Sequence, residues 1–365
     1  MKTPFFIVKS EKLKMKSLGK PLCIFLFSLF IFHFLSCQKE KIGTGTNIQD
    51  LFYLDNQGAK MPILVEGNIS SGVVLLFVHG GPGGSAIAFQ DDEYITAQVE
   101  PKYAVAYWDQ RAAGGSQGST PTLELSLYSN DLKKVIILLK SRYGAATKVF
   151  LISHSWGGLI APAFLTEGDN QTMVKGWINV SGAHNYIKND SLTREYLMRY
   201  SKEQIALNNN KTEWEKILTT AEANVPDYTY KTSLALNACA STAETLISDI
   251  NNNGFVISDL LGSSKPAYSV FWFLSNASAT YFSGLNDKIM YNEFSTKLSL
   301  IKLPLICITG KYDFTCPRGL ADEMMAKAGS AKKKLIILPH SGHICMSNEP
   351  DAFYAEVNKF VDENK

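Results

Sequence analysis

Short apolar runs recur along the chain at Val73–Val78, Tyr103–Trp108, Lys148–Ser153, Val174–Val180, Pro304–Gly310 and Lys334–Leu338. Each is bounded by small or turn-forming residues, the pattern of a buried strand and not of a long helix. Two further strands are expected near Leu51–Leu54 and Pro62–Glu66. Between the runs the period changes to that of a helix. Leu132, Val135, Ile136 and Leu139 fall on one face, and so do Phe353, Val357, Phe360 and Val361 behind the acidic, proline-started turn Glu349–Asp351. Strands alternating with helices predict a mainly parallel central sheet flanked by helices, an α/β architecture. From Tyr186 to Leu300 the pattern breaks into polar helical stretches, Ser191–Asn208 and Thr212–Ala223, followed by the aromatic run Ala267–Phe273 and the pair Tyr281 and Phe282. We expect residues 49–185 and 301–365 to form one core and 186–300 an inserted, mostly helical lid. Its aromatics would either line an apolar pocket or serve as packing.

Three of the strand ends carry chemistry. After Phe150–Ile152 the chain reads Ser153, His154, Ser155, Trp156, Gly157, Gly158. A strand running through a small-x-Ser-x-Gly turn into an apolar helix is a nucleophile elbow, which holds a weakly nucleophilic hydroxyl proud of the sheet. After Val73–Val78 comes His79, Gly80, Gly81, Pro82, Gly83, Gly84, a glycine-rich loop with exposed backbone N–H groups. The Gly81 and Trp156 N–H groups are the expected donors to a developing oxyanion. Past the last two runs stand Asp313, then His340 and His343. The order Ser155, Asp313, His343 is the hydrolase order. His343 is preferred as the base because Gly342 lets its loop reach back over the sheet, with His340 as competitor.

These residues, HGGPGG at His79–Gly84, Asp109–Gln110–Arg111, SHSWG at Ser153–Gly157 and Gly342–His343 followed by Glu349–Pro350, resemble the prolyl iminopeptidase branch of the α/β-hydrolases. The resemblance spans roughly residues 60–183 and 300–365. It implies an α/β-hydrolase fold, Ser155 as nucleophile, Asp313 as acid, His343 as base, oxyanion donors at Gly81 and Trp156, and removal of N-terminal residues from short peptides. The Asp109–Arg111 triplet has a second reading, as a brace between loops. The chain departs from the family at Ser153, where glycine is usual, and in DQRAAGG, where DQRG is usual. The family's Ala-Trp-x-x-Trp-Glu lid segment, which supplies amine-binding glutamates, has no clear counterpart. Carboxylates that could replace it are Glu195, Glu203, Glu213, Glu215, Glu222, Asp227, Glu244 and Asp249, because a partly buried ammonium needs a counter-charge. A small-acyl ester or amide hydrolase and a non-catalytic small-molecule receptor are the rival functions.

The front of the chain is read separately. Residues 1–36 hold six lysines and one glutamate, then the apolar stretch Leu22–Leu35. An apolar core of about 14 residues suits a signal peptide better than a membrane span of about 20, though an uncleaved anchor is the alternative. Ser36 and Cys37, before Gln38, resemble a bacterial lipoprotein cleavage box, with Cys37 as the lipid-bearing residue, residues 37–48 as linker and Met15 as an alternative start. The expected location is the cell envelope, held to a membrane by that anchor. From Cys37 onward 30 lysines and arginines meet 33 aspartates and glutamates, so no basic excess points to nucleic acid. Cys239, Cys307, Cys316 and Cys345 lack metal-ligand spacing, no phosphate loop is found, and no cofactor is expected. A working triad would draw Cys316 and Cys345 together, either as a disulfide or as two unpaired thiols.

Overall fold

The computed structural model describes residues 46–90, 92–118, 122–227, 229–251 and 269–365, all within one unit, Ile42–Lys365. The expected signal peptide, Met15 and Cys37 lie outside the described residues. Among the described residues nine strands form one sheet: β1 Asn47–Asn56, β2 Ala59–Asn68, β3 Val73–Val78, β4 Ala104–Trp108, β5 Gln117–Gly118, β6 Lys148–His154, β7 Gly176–Val180, β8 Leu305–Gly310 and β9 Lys333–Leu338. Their order is β1-β2-β4-β3-β6-β7-β8-β9, with β5 against β2. From β4 to β9 every pairing is parallel, and the β1–β2 hairpin adds an antiparallel edge. That hairpin is longer than its apolar residues suggest. Gln57 and Gly58 both take positive φ, the geometry of a primed two-residue turn, so the ladder closes fully from Asn56↔Ala59 to Asn47↔Asn68.

The uniform hydrophobicity of the core strands has a direct cause: both faces of the sheet are covered. Along β3, Val74, Leu76 and Val78 enter one apolar cluster, whereas Val73, Leu75 and Phe77 enter the other. The first cluster holds α1 Leu125–Tyr143, α2 Gly157–Leu165 and α7 Gly319–Lys327; the second holds α8 Pro350–Asn364. The predicted stripes of α1 and α8 are buried at every named position.

Between β7 and β8 the chain leaves the sheet for α3 Tyr186–Ala206, α4 Lys211–Ala223, α5 Tyr230–Leu246 and α6 Val270–Phe282. The first three build a small core of their own from Leu197, Trp214, Ile217, Leu236 and Ala240. Phe314, from the loop after β8, is buried inside that core against the rings of Tyr196, Tyr200 and Trp214. Helix α6 meets the pocket expectation only at Tyr281, which lines the cavity that holds Ser155. It turns Asn276 and Thr280 inward and leaves Phe271, Leu274 and Phe282 exposed.

Candidate active site

At the end of β6 the backbone turns so sharply that Ser155 sits at φ +53°, a left-handed conformation rare for a residue with a side chain. The two following glycines make the turn fit. A Cβ on Gly157 would stand 2.2 Å from the Val78 carbonyl oxygen, and one on Gly158 2.4 Å from the Gly182 Cα. Ser153 is tolerated where the family has glycine because its hydroxyl points into the sheet and accepts the Trp177 indole N–H at 2.7 Å. Ser155 itself is half-buried and lines a cavity of about 230 Å³.

The loops after β8 and β9 bring Asp313 and His343 together. His343 Nδ1 lies 3.1 and 3.2 Å from the two Asp313 carboxylate oxygens. Asp313 is buried and also accepts the Cys316 N–H at 2.7 Å. Burial is the largest influence on the His343 imidazole and disfavours its charge. The Asp313 charge and hydrogen bond, with the Glu244 charge, outweigh it and hold the pKa above the ordinary value. His340 is half-exposed and bonded through Nδ1 to Asp249 at 2.8 Å, on the surface. His154 packs its ring 4.8 Å from that of His343, and burial followed by that neighbour pushes its pKa down to about 3, so it stays neutral.

The glycine-rich loop approaches from the other side. A Cβ on Gly80 would lie 3.1 Å from the Ser155 Cβ, and Gly81 shares the cavity wall with Ser155. Among the described residues, neither the Gly81 nor the Trp156 N–H meets a backbone acceptor. Gln110 joins the two segments that carry them, donating to the His79 carbonyl at 3.0 Å and accepting the Trp156 indole N–H at 3.0 Å. Its neighbours brace loops. Asp109 accepts from Ser85, Ala86, Ile87 and Gly115, and Arg111 pairs with Asp131 in full burial.

The cysteines at 239, 307, 316 and 345 are unpaired. The thiols expected near each other form no disulfide: Cys316 lines the cavity together with Ser155, and Cys345 is buried in the apolar cluster that holds α8. Of the carboxylates singled out from sequence, all but Glu244 are exposed. Glu244 contacts the Asp313 and His343 loops, with its Oε2 accepting the His343 N–H at 2.9 Å. The carboxylate beside the cavity is one that sequence reasoning passed over. Asp190, on the first turns of α3, is buried and accepts the hydroxyl of cavity-lining Ser233 at 3.0 Å. Burial raises its pKa to about 6 against the pull of Ser233 and Asn189. The adjacent cavity residue Asn189 has a buried side-chain oxygen with no partner among the described residues. A signal was available: Asp190, Thr193 and Leu197 share one helical face, so the buried stripe of α3 carries a charge.

Residues 71–224 match a family model described as serine aminopeptidase, S33. The chain is 21% identical over 299 residues to the probable aminopeptidase YbaC of Bacillus subtilis, covering 80% of this chain and 90% of that protein. It is 23% identical over 320 residues to the proline iminopeptidase of Lactobacillus crispatus, covering 84% and 98%. The proline iminopeptidase-related protein of Thermus thermophilus superposes with a TM-score of 0.57 at 18% identity, over 87% of this chain and 98% of its own. The fold is that of the α/β-hydrolases. An esterase of Rhodococcus superposes as well, with a TM-score of 0.56 at 15% identity over 88% and 100%. Resemblance in shape therefore does not separate peptidase from esterase, and within the α/β-hydrolase fold the distinction must come from the site.

Proposed function

We propose that this α/β-hydrolase is a serine exopeptidase that releases N-terminal residues, prolyl among them, from short peptides. The Ser155 hydroxyl attacks the carbonyl of the first residue as His343 takes its proton, and the Gly81 and Trp156 N–H groups receive the oxyanion. Collapse expels the remaining peptide as an amine, protonated by His343, and leaves the first residue esterified to Ser155. Water, deprotonated by His343, then hydrolyses that ester. Asp313, bonded to Nδ1, keeps the imidazole in the tautomer that leaves Nε2 free to act as the base and stabilises the imidazolium.

The observation that carries the peptidase reading is a buried carboxylate that is not itself in the cavity wall but is hydrogen-bonded to Ser233, which is. Asp190, behind Ser233 and beside the unpartnered Asn189 oxygen, offers a substrate ammonium a charge and acceptors in place of the family's missing glutamate segment. A cavity of about 230 Å³ is large enough for one residue. Ile289 and Met290 in its wall favour the second reading, a small-acyl ester or amide hydrolase. The lysine-rich, apolar start of the chain and Cys37 support export and a lipid anchor in the cell envelope.

The test compares a prolyl arylamide, its N-acetylated form and a short acyl ester. The peptidase reading expects acetylation to lower kcat/KM about a hundredfold or more, and Ser155→Ala to abolish turnover without loss of folding. Indifference to acetylation with efficient ester cleavage would transfer the assignment to the esterase. Unaltered turnover in Ser155→Ala would reject Ser155 as the nucleophile in both readings, and no hydrolysis of any of the three would favour a receptor.

A further inference from the structure

Glu244 rises from α5 in the insertion, yet it is not part of the cavity wall. Its Oε1 accepts the Phe314 N–H at 3.2 Å and the Thr315 hydroxyl at 3.5 Å, and its Oε2 accepts the His343 N–H at 2.9 Å. One carboxylate thus holds the residue that follows Asp313 and, at the same time, His343 itself. The fit is close, since a Cβ on Gly342 would stand 2.3 Å from Oε2, so the loop reaches Glu244 only as glycine. A second tie runs through Phe314, whose ring is enclosed by Tyr196, Tyr200 and Trp214 of the inserted helices.

We propose that Glu244 is a positioning residue that sets the separation of Asp313 and His343, so that the pair is competent only while the inserted helices are seated. Because the pair's partner is Ser155, this rests on the serine hydrolase reading. A carboxylate is suited to the task. Its two oxygens accept two convergent N–H donors at once, which an amide cannot do, since its nitrogen would face one of those donors. Its charge is also placed to be felt. The titratable groups around it are Asp313 and Cys316 on the loop after β8 and His343 on the loop after β9, with His154 behind His343 on the elbow. Burial, then the Asp313 charge, pushes the Glu244 carboxyl up to about 7, while the His343 charge and the two N–H bonds oppose that. In return its ionised form favours the His343 imidazolium.

The experiment is the pH dependence of Ser155 labelling by a fluorophosphonate, which reads the base in the full chain without knowledge of the substrate. In Glu244→Gln, shown to be folded by its melting transition, the plateau rate should fall about tenfold or more as the loops lose their common clamp. The acid limb should move to lower pH, because a neutral neighbour no longer favours the imidazolium. A limb that stays in place overturns the proposal, whatever the melting temperature does, because a merely structural residue would leave it there. Should Glu244→Gln not fold, Glu244→Asp keeps the charge but reaches only one N–H group. It should then show the wild-type limb with a plateau several-fold lower, and a wild-type plateau would overturn the proposal. Failure of the wild-type protein to label removes the serine hydrolase reading, and this inference with it. Labelling of the wild type with an unshifted variant removes this inference alone.

Discussion

A carboxylate that is only 4% exposed, with a serine hydroxyl and an amide for company and no lysine or arginine paired to it among the described residues, is costly for a fold to keep. Asp190 meets that description, and its pKa, raised to about 6 chiefly by burial, fixes the sign of the cost. The folded state holds the proton more tightly than the unfolded chain. The associated stability is therefore fully present below the ordinary carboxylate pKa and is lost as pH rises through about 6. Asp190→Asn keeps an acceptor for Ser233 and removes the charge. Above about pH 7 it should melt a few degrees higher than wild type, a gain on the order of 2 kcal/mol that fades toward about pH 4. If that cost is retained because an ammonium binds there, the same variant should raise KM for free-amine substrates about tenfold or more and leave acetylated substrates unaffected. Thermal melts across pH, paired with the two kinetic series, check both halves. A variant less stable at every pH, or one equally good with both substrates, would deny Asp190 this role.

Helix α6 shows why some elements could be read from the sequence and others could not. For β3, α1 and α8 the apolar pattern and the environment agree, so strand, stripe and burial were all legible. The strand-end positions of Ser155, Asp313 and His343 were legible for the same reason, since each follows an unambiguous apolar run. In α6 the pattern points the wrong way. Its aromatic residues suggest a buried face, yet Phe271 is 71% and Phe282 80% exposed. What holds the helix is polar. The Asn276 amide donates to the carbonyls of Gly114 at 3.0 Å and Ser116 at 2.8 Å, and the Thr280 hydroxyl donates to that of Ala112 at 2.7 Å. Those carbonyls belong to the loop that follows the Asp109–Arg111 brace, a partner hydrophobic periodicity does not reveal. Asp190 and Glu244 escaped ranking for the same reason, because their meaning lies in contacts with residues distant in sequence. Asn276→Ala, which strands buried carbonyls, should cost about 1–3 kcal/mol. Phe282→Ser, on the exposed face, should fall within about 0.5 kcal/mol of wild type. Denaturant unfolding of the pair measures the contrast, and equal losses would show that apolar packing holds α6 after all.

At the scale of the whole molecule, the residues proposed for hydrolysis and the segment proposed for anchoring are separate in the chain. Ser155, Asp313, His343, Gly81 and Trp156 all lie in the unit Ile42–Lys365, whereas Cys37 and the apolar stretch before it precede that unit. No helix among the described residues is long and apolar enough to cross a membrane. Attachment by the mechanism expected from the sequence would use the acyl chains carried by Cys37, and a thioether-linked diacylglycerol with an N-acyl chain exceeds the two-chain requirement for stable binding. Replacing residues 1–36 by a general cleavable export leader and Cys37 by alanine lets the chain be exported and processed without lipid. The processed form should move from the membrane to the soluble fraction, and its kcat/KM on a soluble substrate should stay within about twofold of the anchored form, because no group of the site is altered. Cell fractionation with an immunoblot that resolves processed from unprocessed chains reads the first outcome, and kinetics on both fractions reads the second. A processed, lipid-free form that still pellets with membranes would reject Cys37 as the anchor. A soluble form that has lost activity would instead show that the bilayer takes part in the reaction.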